Sequence, residues 1–222
     1  MTLTLTLTSL NVAMPKPLGT WRGKPITSAI AKMPVTAPEI ALSATNLDGD
    51  GQADLTVHGG EEKAVYAYHT AHWAWWRGEH NLACAPATFG ENLTLDGPDE
   101  NALHIGDVFE WGAAQIQICQ PRQPCFKLQM HTGRTDVGAR MTLSARCGWY
   151  ARVLKPGVVP AAGALTRITH AASAPTVKAT FTALFDPKRP ADELRAFAAT
   201  PHLSAEWRDD FIRRAEARSA AS

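Results

Sequence analysis

In this 222-residue chain, the segment Gln120-Pro121-Arg122-Gln123-Pro124-Cys125-Phe126-Lys127 is where residue types and spacing suggest chemistry. Its prolines fix φ and stiffen the backbone around Cys125. Arg122 and Lys127 place positive charge nearby, and positive charge favours the thiolate, the form of cysteine that attacks electrophiles and binds metals. The same residues also fit an inert cysteine buried at a strand end. Cys84, Cys119 and Cys147 lack this setting and read as structural thiols. No C-x-x-C spacing occurs, so neither a zinc knuckle nor a thioredoxin-like pair is indicated.

Val57-His58-Gly59-Gly60 forms a second candidate. Paired glycines let successive N–H groups face an anion, and a helix beginning at Glu61 would add its positive end. His58 and Lys63 favour an anion there, while Glu61 and Glu62 oppose one. A plain strand-to-helix turn accounts for the same residues. In Phe89-Gly90-Glu91-Asn92-Leu93, Glu91 and Asn92 have the chemistry to orient a ligand, or to hold their own loop through side-chain-to-backbone bonds. Asp48-Gly49-Asp50-Gly51 does not complete a calcium loop. Its fifth, sixth and twelfth positions would be Gln52, Ala53 and Gly59, so it reads as a tight turn. His69 and His72 lie among Tyr66, Tyr68, Trp73 and Trp76 and read as aromatic-core histidines rather than ligands.

These segments need a scaffold of short strands. Leu3, Leu5 and Leu7 alternate with threonines, the pattern of a half-buried strand. A Pro/Gly-rich loop is expected from Met14 to Pro25 and a short strand from Ile26 to Lys32. Residues 39–57 read as strand, turn, strand. Glu61 to Arg77 reads as a helix with Val65, His69, His72 and Trp76 on one face. Pro86 to Asp99 reads as loop. Val108–Trp111 and Gln115–Cys119 form a hairpin turning at Gly112, and Trp149–Leu154 and Ala164–Ile168 add two strands. Many short strands around one central helix imply a mainly β protein with a barrel-like core. Composition shifts near His170. A helix is expected over Ala191–Ala199, and Ser204 is placed to cap another with Trp207, Phe211 and Ala215 inward. The expected organisation is therefore a barrel domain over 1–168 and a small helical segment over 169–222.

Composition narrows the function classes. A net charge of +1, from 22 basic and 21 acidic residues, carries no strongly basic nucleic-acid footprint. No run of about 18 apolar residues offers a membrane span. The first ten residues lack the features of a secretory signal. A cytoplasmic protein with reduced thiols is expected.

Taken together, the segments resemble the MOSC domain, named for the C-terminal region of molybdenum cofactor sulfurase, and most closely its stand-alone YiiM-like branch. The resemblance runs in order through Leu10-Asn11-Val12, Trp21-Arg22-Gly23-Lys24, Lys32-Met33-Pro34-Val35, Gly49 to Gly60, Lys63-Ala64-Val65-Tyr66, Phe89 to Leu93, Ile105-Gly106-Asp107, Gln120 to Leu128 and Gly148-Trp149-Tyr150. Leu203 to Arg208 is similar to the helical segment of the same branch. The resemblance implies a β-barrel that binds a molybdopterin-type molybdenum cofactor, with Cys125 as thiolate ligand to the metal. It implies His58, Gly59, Gly60 and Lys63 facing cofactor or substrate, Glu91, Asn92 and Arg122 lining the same pocket, and Lys24 and Lys127 as candidates for the cofactor's phosphate. The implied activity is reduction of N-hydroxylated compounds, such as hydroxylaminopurine base analogues, to amines, a detoxification role with His58 as proton donor. A sulfur carrier or cofactor-handling protein using a Cys125 persulfide, and a binding module with a structural Cys125, are the alternatives. The chain has no flavin or nicotinamide fingerprint and no iron–sulfur cysteine set. An enzyme of this kind therefore needs a separate electron-donor reductase, and the helical tail, at Trp207 or Arg208, is one place for it to dock.

Overall fold

The structure, a computed structural model, describes residues 2–53 and 59–220. Its strands are β1 (Thr4–Val12), β2 (Lys16–Trp21), β3 (Lys24–Ser28), β4 (Met33–Pro34), β5 (Glu39–Leu42), β6 (Val65–His69), β7 (Leu93–Asp96), β8 (Val108–Trp111), β9 (Ala114–Pro121), β10 (Trp149–Lys155), β11 (Gly157–Pro160) and β12 (Gly163–Thr169). Helix α1 (Trp73–His80) follows β6, α2 (Phe126–Thr132) and α3 (Val137–Ser144) join β9 to β10, and α4 (Val177–Phe185), α5 (Ala191–Ala198) and α6 (Ala205–Ala220) close the chain.

The expected barrel is present. Strands run in the order β12-β8-β9-β10-β6-β7-β1, and β1 pairs back onto β12, with Leu5 opposite Leu165, so the sheet closes. Closure leaves no unpaired edge around the ring. Leu5, Leu7 and Leu10 of β1 point inward to meet Phe109, Ile116, Ile118 and Trp149, all fully or almost fully buried. The hairpin β2–β3 stands outside the barrel as a separate sheet, as does β5–β11.

The region 61–77 differs from its expected helix. Val65 to His69 is a strand, flanked by single 3₁₀ turns at Glu61–Lys63 and Thr70–His72, and only Trp73–His80 is α-helical. All five residues of β6 are buried. β6 lies between β10 and β7, parallel to the latter, and is covered on both faces. Such a strand shows no polar alternation, so spacing alone cannot tell it from a buried helix. The expected loop over Pro86–Asp99 contains β7. The expected loop over Met14–Pro25 contains β2 and the start of β3. The strand expected after the Asp48-Gly51 turn falls largely on residues outside those described.

The helical unit packs onto the barrel through hydrogen bonds as well as apolar contact. Thr176 caps α4 by accepting from the Ala179 N–H, and Ser204 accepts from the Trp207 N–H at the start of α6, as expected of it. Ser204 N–H donates to the Cys119 carbonyl in β9. Trp207, Phe211 and Ala215 are buried, as their i, i+4, i+8 spacing requires.

Gly148, just before β10, has φ of +70°, and a Cβ there would lie 2.2 Å from the Ala67 carbonyl oxygen of β6. Gly133, after α2, has φ of +67° and nothing within 4 Å. Both sites carry left-handed strain of about 1–2 kcal/mol for an L-residue. Gly133→Ala is expected to lose only that amount. Gly148→Ala adds a backbone collision and is expected to lose at least a further 1–3 kcal/mol or so, measured as the difference in urea unfolding free energy.

Candidate active site

A cleft of about 260 Å³ opens where the β9–α2 connection, the 87–92 loop, β6, the turn at Asp50 and the start of α6 meet. Cys125 caps α2 in extended conformation, with φ of −117° and ψ of 167°. It lines the cleft half-buried, whereas Cys84, Cys119 and Cys147 are buried. Burial pushes the Cys84 thiol up to about 11 and the Cys119 thiol to about 12, and holds that of Cys147 well above its ordinary value. They remain protonated and inert at neutral pH. The sequence distinction between Cys125 and the other three is thus mirrored by exposure.

Arg122, three residues before Cys125, is buried. Its guanidinium lies 5.2 Å from the Tyr66 ring centroid, with Nη1 donating to Met141 Sδ at 3.4 Å. Burial works against this cation, but Tyr66, Tyr150 and Cys125 outweigh it and hold the guanidinium pKa above its usual value. Lys127 is also buried and lines the cleft. Among the described residues, neither Arg122 nor Lys127 has a carboxylate partner. Lys32 and Lys63 line the cleft as well, paired with Asp50 and Glu206 respectively. Cations next to a thiol are the setting that favours thiolate.

The 87–92 loop is held from within. The Glu91 carboxylate is fully buried and accepts from the Ala87 and Phe89 N–H groups and from the Thr94 hydroxyl. Asn92 Oδ1 accepts from the Tyr66 N–H, while Nδ2 donates to the Asn11 carbonyl and to Asp50 Oδ2. Asp50 Oδ1 accepts from the Ala13 N–H and from Lys32. This network forms the cleft's rear wall. The Asp48–Gly51 turn therefore supplies a buried carboxylate anchor rather than a calcium loop.

The predicted site residues divide. Cys125, Arg122, Lys127, Asn92, Lys63 and Gly59 come together around the cleft. Gly60 caps the 3₁₀ turn at Glu61–Lys63. Glu91 lies behind the cleft and holds the loop. Lys24 is exposed at the end of the β2–β3 hairpin and is not among the lining residues. His58 lies outside the described residues. Lys32, Asp50, Gln120 and Tyr150 line the cleft without being expected there, and so do Glu206 and Trp207 from the helical unit. All six fall in segments that carry the family resemblance, which marks the segments without marking these side chains.

The two histidines of the aromatic core are removed from this cleft. His69 Nε2 accepts from Trp149 Nε1, and burial pushes its pKa down to about 4. His72 Nε2 pairs with Glu100 Oε2 at 2.6 Å. Burial alone would raise Glu100, but His72 and His69 overcome it and hold the carboxyl at about 2.

The donor set fits a molybdopterin-type group. A soft thiol suits a transition metal in a sulfur-rich cofactor. Arg122 and Lys127 supply charge for an anion. Gln120 lines the cleft with a buried Oε1 that lacks a partner among the described residues, an acceptor for a ring N–H.

Comparison with known proteins identifies the family. The MOSC domain profile matches residues 54–165, and the chain belongs to the MOSC domain family. A second profile, "YiiM-like, 3-alpha helix domain", matches residues 175–217 and sets the chain in the YiiM-like branch. Protein YiiM of Escherichia coli is 41% identical over 152 residues, which is 67% of this chain and 66% of that one, just under two thirds of its length. The crystal structure of YiiM from Geobacillus stearothermophilus superposes with a TM-score of 0.80 at 29% identity, covering 95% of this chain and 99% of that one. A protein of Gibberella moniliformis named "Reductase" is 36% identical over 140 residues, 61% of this chain but only 24% of its own.

Burial raises the Glu91 carboxyl from 4.5 to about 7, against the hydrogen bonds that would lower it. The fold then binds this proton more tightly than the unfolded chain. Its stabilising contribution is complete below pH 4.5 and is lost as pH rises through about 7. The slope in that window reaches about 1.4 kcal/mol per pH unit. Glu91→Gln is expected to flatten it, seen in urea unfolding between pH 4.5 and 7.5.

Proposed function

We propose that this protein is a molybdenum-cofactor-dependent reductase of N-hydroxylated compounds, hydroxylaminopurine-type base analogues among them, serving to detoxify them. The observation that carries this reading is the half-buried Cys125 thiol beside the buried Arg122 cation, in a cleft of small-molecule dimensions. The balanced reaction is R–NH–OH + 2 e⁻ + 2 H⁺ → R–NH₂ + H₂O. The cofactor, when bound, supplies the two-electron chemistry.

The chain's own residues bind, orient and handle protons. Cys125 Sγ would hold the metal. Arg122 and Lys127 would attract the cofactor's anionic groups, and Gln120 Oε1 would offer an acceptor for a ring N–H. Asn92, fixed by three hydrogen bonds, keeps the opposite wall in place. Lys32 has its pKa lowered by burial, against the pull of Asp50, and stays paired with that carboxylate as part of the cleft wall. His58 is the candidate proton donor. The chain contains no electron-carrying motif, so a separate reductase delivers the electrons. The relative named "Reductase" supports the reductive direction of the reaction.

The test is Cys125→Ser, with both proteins made in a cofactor-producing host. Molybdenum and pterin content are expected to fall together. Reduction of an N-hydroxylated purine should drop to below about 1% of wild type, the scale of losing an essential group. Full metal content with full activity in the serine variant rejects the proposal. A labile persulfide on Cys125 without molybdenum favours the sulfur-carrier alternative.

A further inference from the structure

The β2–β3 hairpin has features that neither the barrel nor the cleft requires. It stands apart from the barrel as its own two-stranded sheet, and most of its residues are exposed. The Arg22-Gly23 turn has φ of 50° and 78°, the left-handed pair of a tight hairpin turn. Trp21 and Lys24 face each other across it. Lys16, Arg22 and Lys24 are all exposed. No Asp or Glu occurs anywhere before Glu39, so the hairpin carries cations with no acid of its own.

Tertiary contacts do not neutralise it either. Among the described residues, Lys16, Arg22 and Lys24 form no ion pair. By contrast Arg189, Arg195 and Arg213 of the helical unit pair with acids three or four residues away. In a protein of net charge +1, this leaves a local positive projection.

The hairpin also touches the element that bears the thiol. The Trp21 ring stacks on Phe126, with centroids 5.2 Å apart, and Phe126 directly follows Cys125. Gly19 lies against Met130 of α2, where a Cβ would be 3.5 Å from its methyl. Ser28, at the far end of β3, lines the cleft with Ala29 and Ile30. The cationic tip is thus joined to the segment bearing Cys125 by a short aromatic contact.

We infer that the β2–β3 hairpin, through Lys16, Arg22 and Lys24, is the docking surface for an acidic electron-donor protein that reduces the centre held at Cys125. The inference rests on the proposed reductase reading. Each turnover oxidises the partner by two electrons, which the N-hydroxyl substrate takes up with two protons. Charge complementarity of this kind speeds encounter and weakens with salt. Trp207, earlier placed as a docking residue of the tail, is 1% exposed and is not available to a partner.

The test uses the full chain and flavodoxin, a small acidic flavin protein, as probe. Fluorescence anisotropy at about 50 mM salt should show weak binding that is lost as salt rises. Lys16→Glu/Arg22→Glu/Lys24→Glu should weaken it at least about tenfold. The control Lys155→Glu/Lys188→Glu/Arg214→Glu, of equal net charge and at exposed positions away from the hairpin, should change it by less than about twofold. An equal loss in the control, or no binding by the wild type, overturns the assignment. So does conversion of a wild-type dimer to monomer by the hairpin variant, which makes the hairpin a contact between copies. Turnover driven by a reduced viologen dye bypasses docking and should persist in both variants; its loss in the hairpin variant alone overturns the assignment. Absence of dye-driven turnover in the wild type rejects the catalytic reading, while the binding measurement still decides the surface.

Discussion

Charge held out of water, and paired or cushioned so that it stays charged, is the constraint on which the site depends. Asp50 is buried and accepts from Lys32, Asn92 and the Ala13 N–H at once. Through Asn92 the same network reaches Tyr66 of β6 and Asn11 of β1. Removing one member would strand a charge in the interior, a loss of about 3–5 kcal/mol. The wall is therefore rigid because its alternatives are expensive. Arg122 is held differently, against the Tyr66 face and a methionine sulfur, with no carboxylate to satisfy it among the described residues. That difference leaves its charge directed at the cleft.

The helical unit completes the site and is not merely attached to it. Glu62 links Arg152 of β10 to the Ala205 N–H at the start of α6, and Lys63 pairs with Glu206. Gln123, two residues before Cys125, bonds Asp210. The segment carrying the thiol and the segment carrying Gly59 thus share anchors on one helix. Any displacement of α6 would move both sides of the cleft entrance.

Much of this was legible in the sequence, for identifiable reasons. The alternation of β1 and the Gly112 hairpin follow from one-sided burial, which writes itself into residue type. Trp207, Phe211 and Ala215 announce an amphipathic helix, and Arg122 with Cys125 announces a cation near a thiol. β6 was misread because burial on both faces erases alternation. α2 and α3 are hard to read because each is about two turns long and lacks the acidic first turn that marks α5, a helix of similar length. Lys32 and Asp50 were passed over because a buried ion pair between residues 18 apart leaves no local pattern. Lys24 was placed by resemblance near a phosphate, whereas the turn at Arg22-Gly23 carries it to the hairpin tip.

The ring is sealed by its first strand. β1 lies between β7 and β12, and its register with β12 runs from Thr4↔Thr166 to Leu7↔Gly163. On the ribosome β1 must therefore wait until the chain has been made as far as Gly163–Thr166 before it finds its second neighbour. Until then β1 and β8 each lack a partner that the finished ring provides. Such long-range pairing makes assembly slow and leaves sticky borders in any truncated product. Premature termination before Gly163 thus yields a species prone to clumping, and holding factors during synthesis would matter more for this architecture than for one built from neighbouring hairpins.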